Sequence, residues 1–96
     1  MPANIVILRA SDNVGVALRD IDVGQNACAT GDIEVLVAEK IPIGHKVALR
    51  NIAHEDQIIR CGMPVGRAIA DIPCGALVHI HNISSQYINN DFDHYE

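Results

Sequence analysis

An all-β domain of short strands is the fold class this 96-residue sequence predicts, and three observations carry it. The apolar residues are dominated by 14 isoleucines and 9 valines, whose stiff β-branched side chains suit a pleated surface better than a helix. Short strand-like runs recur about every 8–12 residues with glycine and proline punctuation, as in small β domains. No stretch of ten residues combines helical spacing with caps. Hydrophobic residues make up 49% and charged residues 20%, which excludes wholesale disorder. A chain this long buries roughly 60–65% of its unfolded surface, enough for one modest core. That core is aliphatic, because aromatics are 3% and all of them (Tyr87, Phe92, Tyr95) lie near the C-terminus.

Taken in order, the first strand candidate is Asn4–Arg9, followed by a polar turn at Ser11-Asp12-Asn13 and a second extended run, Val14–Leu18. Arg19–Gly24 reads as a turn, Ala27–Ala29 as a weak strand and Thr30-Gly31-Asp32 as a turn. Ile33–Ala38 alternates well enough for a half-buried strand. His45–Arg50 and Gln57–Cys61 are further strands, separated by a polar loop at His54–Asp56. Gly62–Gly66 carries glycine at both ends and Pro64 between, and reads as a turn; Arg67–Ala70 is short and ambiguous. Ala76–Asn82 closes the series as a strand. Residues 1–83 therefore form one domain. Residues 84–96 are a polar, acidic, aromatic-bearing tail that either docks on a partner or frays.

An internal echo organises the chain. Ile41–Val47 and Ile72–Val78 share the pattern I-P-x-G-x-x-V, and Ile21–Ala27 is a weaker copy. Proline sets the turn, glycine supplies a backbone conformation other residues avoid, and an apolar strand follows. The echo predicts two related halves, a pseudo-two-fold, around a shared aliphatic core.

Several function classes are excluded. Net charge is −5, and Lys40, Lys46 and the five arginines are scattered, so nucleic acid is not an expected partner. No apolar run of membrane length and no basic-then-apolar leader is present, which predicts a cytoplasmic protein without membrane contact. Cys28, Cys61 and Cys74 are odd in number and lack C-x-x-C spacing, so they read as inert or buried thiols. Gly62–Gly66 lacks the P-loop ending, and no serine lies in a nucleophile elbow.

Chemistry-bearing candidates are few. In an extended run His79 and His81 would project from one strand face with Ile80 turned into the core. They are either a two-donor metal or substrate clamp, or two surface histidines. His45-Lys46 follows Gly44 in the first echoed turn and is replaced by Ala76-Leu77 in the second, so the turn itself does not need it. Asp12-Asn13 reads as an Asx-type turn. Arg60, just before Cys61-Gly62, either receives a carboxylate or stands as a solvated arginine, and His54 and His94 are given no role.

The segments Asp12–Ala17, Gly44–Leu49, Ile58–Gly62, Val65–Ala70, Asp71–Gly75 and His79–Asn82 occur in one order that resembles the N-terminal domain of the altronate and galactarate dehydratases. The resemblance spans about residues 4–83 and is sharpest in G-H-K-V-A-L and H-x-H-N. It implies a SAF domain with a β-clip fold, like the antifreeze-like domains. It also implies a separate small subunit of a sugar-acid hydro-lyase or of a sulfolactate sulfo-lyase, working with a large catalytic subunit. Within that frame His45 and Lys46 are expected to be catalytic, with Asn13, Lys46 and Asn82 binding substrate. His79 and His81 would ligate a divalent ion, Fe(2+), held mostly by the large subunit. The rivals are a non-catalytic module that binds a sugar acid or assembles a complex, and a homo-oligomer with its own site.

Overall fold

The computed structural model describes residues 3–79 and 81–84. These form nine short strands and no helix: β1 (Ile5–Val6), β2 (Val14–Ala17), β3 (Asn26–Ala29), β4 (Ile33–Leu36), β5 (Lys46–Ala48), β6 (Gln57–Arg60), β7 (Met63–Ala68), β8 (Leu77–Val78) and β9 (Ile83–Ser84). All pairings are antiparallel. A four-stranded sheet runs β1-β2-β5-β8, β3-β4 is a hairpin, and β6-β7-β9 is a three-stranded sheet.

The echoed turns are the frame. Ile21 and Ile41 exchange both backbone hydrogen bonds (2.9 and 2.8 Å), and so do Ile52 and Ile72 (2.8 and 2.7 Å). Each isoleucine opens the same turn, in which a bond returns from the fourth residue on to the first: Gln25 to Asp22, His45 to Pro42, Asp56 to Ala53, Ala76 to Pro73. The turn needs a positive φ at its third residue after the isoleucine, supplied by Gly24, Gly44, Glu55 and Gly75. Asp20, Asn51 and Asp71 each accept a bond of 2.8 Å from a backbone N–H of the opposing turn. There are thus four copies, not three. The copy at Ile52 has no glycine or proline, and Glu55 carries the strained φ of 79°.

Two clusters of buried side chains result. One holds Ile5, Ala17, Ile21, Ala27, Val35, Val37, Ile41 and Val47; the other Val14, Ala48, Ile52, Ile58, Ala68, Ile72, Ala76 and Val78. Ile21, Ile41 and Val47 map onto Ile52, Ile72 and Val78 at one constant offset, 31 residues (52 − 21, 72 − 41, 78 − 47). The two clusters meet along β2 and β5, and Asp12 and Asn13 reach from the start of β2 to the β6–β7 hairpin. Asp12 accepts bonds from the N–H groups of Arg9, Cys61 and Gly62 (3.1, 2.9 and 2.8 Å). Asn13 accepts from the Ile59 N–H and donates to the Gln57 carbonyl.

The structure corrects several expectations. Residues 62–66 are not a turn. The reversal is the two-residue loop Cys61-Gly62, both at positive φ (58° and 74°), and Met63–Ala68 is a strand. Pro64 is tolerated there because the register slips between Ile58 and Ile59, opposite it. The strand expected over Ala76–Asn82 is only Leu77–Val78, because Asn82 folds back to donate its N–H to the His79 carbonyl. Cys28 is a buried free thiol, whereas Cys61 and Cys74 are exposed free thiols, so burial holds for the first alone. The first strand is also shorter than expected, and β9 runs to Ser84. The rest of the tail, and the inward-facing placement expected of Ile80, lie outside the described residues.

Candidate functional site: a cationic face at the second turn

Register brings the two halves of the site together. Lys46 sits between Val16 on β2 and Val78 on β8. Because β5 and β8 are antiparallel, the residue before Lys46 lies opposite the residue after Val78. Those residues are His45 and His79. Their rings meet edge to face, with centroids 4.7 Å apart and planes at 60°. His45 is half-buried, and its Nδ1 lies 3.3 Å from the Ile43 carbonyl. Asn82 holds the other side of the contact, accepting the His79 N–H at 2.9 Å and donating to the Leu77 carbonyl at 2.7 Å.

The electrostatics are one-signed. Desolvation first, then the charges of His45, Lys46 and His81, push the His79 imidazole below its ordinary value. Burial, and then the Arg60 guanidinium, push the Lys46 ammonium down. The ion pairs among the described residues join Lys40 to Asp22, His54 to Glu55 and Arg67 to Glu55, and none touches this face. Arg60 is half-buried rather than solvated, and its Nε is a buried donor with no hydrogen-bond partner. In the sequence, its counterpart 31 residues earlier (60 − 31 = 29) is Ala29, a contrast that could have singled it out.

The expected site residues divide accordingly. His45, Lys46 and His79 come together, and His81 lies within electrostatic reach of His79. Asn13 is buried, with both ends of its amide bonded to backbone, so it staples the halves together. Asn82 is likewise engaged with backbone and orients the His79 segment. His79 and His81 do not share a strand face, since the chain turns after Val78, and this corrects the geometry expected for a two-histidine clamp. No group of three or more His, Cys, Asp or Glu able to hold a metal ion forms among the described residues. The described residues do not by themselves fit a self-sufficient metal centre.

What these features define is a small antiparallel β domain with an unbalanced cationic face built on one of its repeated turns. The chain belongs to the altronate/galactarate dehydratase SAF domain family, whose model matches residues 3–86. It is 39% identical over 79 residues to the altronate dehydratase of Bacillus subtilis, a match covering 82% of this chain and 16% of that protein. To the altronate dehydratase of Escherichia coli it is 38% identical over 88 residues, covering 92% of this chain and 17% of the other. It thus spans only a small part of those enzymes. By contrast, its 32% identity to the (2R)-sulfolactate sulfo-lyase subunit alpha of Chromohalobacter salexigens covers 90% of this chain and 98% of that subunit. No helix among the described residues is long and apolar enough to cross a membrane.

Proposed function

We propose that this chain is the small subunit of a cytoplasmic sugar-acid dehydratase-type lyase, presenting His45, Lys46 and His79 to an active site shared with a large catalytic subunit. The observation that carries the reading is the His45–His79 ring contact beside Lys46, with no carboxylate among the described residues paired to it. Dehydration of a sugar acid removes the proton α to the carboxylate and expels the β-hydroxyl. One imidazole takes the α-proton, the other returns a proton to the leaving oxygen so that it departs as water, and the enol product becomes a 2-keto acid. Desolvation and neighbouring charge favour neutral His79, the form a base requires. Lys46 stabilises the negative charge that develops on the carboxylate as the proton leaves. A divalent ion such as Fe(2+) would sit mostly on the large subunit.

A second reading, the small subunit of a (2R)-sulfolactate sulfo-lyase, is favoured by the whole-length match to such a subunit. An anaerobic assay with added iron(II) tests both. This chain, its large partner subunit and the mixture are compared on altronate, galactarate and sulfolactate, with 2-keto acid or sulfite as readout. Turnover only in the mixture supports the proposal and names the substrate. Full activity of the large subunit alone would leave a binding or assembly module.

A further inference from the structure

We infer that Arg60 is the residue that receives a carboxylate group of the substrate on this face, gripping it with the guanidinium edge that carries Nε while Lys46 supplies a second charge. The inference rests on the reading of the cationic face as a substrate site. It goes beyond that reading by assigning the anion anchor to a residue outside the histidine–lysine set.

Three observations carry it. The Nε of Arg60 is buried and donates to nothing, an expensive state for a charged donor unless something arrives to accept from it. The backbone beneath it is rigid. Arg60 ends β6 opposite Met63, and the Cys61-Gly62 loop that follows is clamped by the Asp12 carboxylate through both N–H groups. A planar fork on a rigid base suits a carboxylate, which a guanidinium binds through two parallel N–H···O bonds. Finally, Arg60 and Lys46 lie within electrostatic reach of each other, and Lys46 directly follows His45 in the chain. The described carboxylates that form ion pairs engage Lys40, His54 and Arg67 instead.

The test uses the whole chain without its partner. Tartrate, a short hydroxy-dicarboxylate, is titrated into labelled protein while NMR follows the His45 and His79 rings and the Lys46 Nζ. Sodium chloride at matched ionic strength is the control. Saturable tartrate shifts at these three groups are expected, absent with chloride, and weakened about tenfold or more in Arg60→Gln. Arg60→Lys, which keeps the charge but loses the fork, should fall between, and it guards against loss of fold in the glutamine variant. Equal tartrate affinity in Arg60→Gln and wild type would overturn the inference, as would shifts that chloride reproduces. Unchanged tartrate binding with weaker association to the large subunit would also overturn it, because Arg60 would then meet a partner carboxylate. The subunit reading fails separately: a fully active large subunit would remove it and leave saturable tartrate binding intact.

Discussion

The turns that open at Ile41 and Ile72 have the same backbone and opposite surfaces. Both return a bond from the fourth residue after the isoleucine, both place glycine at positive φ (84° and 88°), and both feed a strand of the four-stranded sheet. One then presents His45-Lys46 and the other Ala76-Leu77. The Leu77 N–H is bonded to the Glu39 carboxylate, while Lys46 faces other cations. The isoleucines and glycines are what the fold requires; the histidine and lysine are not. Residues present in one copy and dispensable in the other are where function is to be sought.

The largest expected effects fall on what the copies share. Ile41→Ala and Ile72→Ala each empty a fully buried position, and each should cost about 2–5 kcal/mol by urea unfolding. Similar losses at the two sites would support the equivalence, whereas a loss confined to one would break it. Asp12→Ala comes next, at about 2–3 kcal/mol, because three backbone donors, two of them in the positive-φ hairpin loop, lose their acceptor.

Asp12 also sets an acid limit. Burial opposes its charge, but the Gly62, Cys61 and Arg9 donors outweigh it and hold the carboxylate below its ordinary value. With the folded value depressed, its stabilisation is full above the unfolded value of about 4 and is lost as pH falls through the folded one. Urea midpoints in that range should fall more steeply for wild type than for Asp12→Ala. The smallest effect is at His79. An NMR titration should place its imidazole below a free histidine, and His45→Ala, which removes the leading charge acting on it, should move it upward. Its contribution to stability is full above about pH 6.5 and lost as pH falls through the lower folded value.

The strand content and the I-P-x-G turns were legible in the sequence because each rests on local chemistry, β-branched runs and glycine or proline at fixed places. The fourth turn was not, since Glu55 adopts its positive φ under tertiary constraint; Asp71 on the opposing turn accepts the neighbouring His54 N–H. Pro64 and Gly66 signalled a turn where a bulged strand forms, and Gly66 is required there because a Cβ would collide with the Ser84 carbonyl of β9. His45 and Lys46 stood out by contrast with their counterparts. The pairing of His45 with His79 did not, because it depends on the β5–β8 register across 34 residues (79 − 45). The two readings of Arg60 could not be separated in the sequence, since nothing local says that its Nε is buried.

The most direct measurement exchanges one surface for the other on the shared turn. The double variant His45→Ala/Lys46→Leu gives the first turn the side chains of the second, and is assayed for folding and for lyase turnover with the large subunit. Urea stability within about 1 kcal/mol of wild type, with turnover reduced about a hundredfold or more, is the expected result. Wild-type turnover by the variant would contradict a catalytic role for this face.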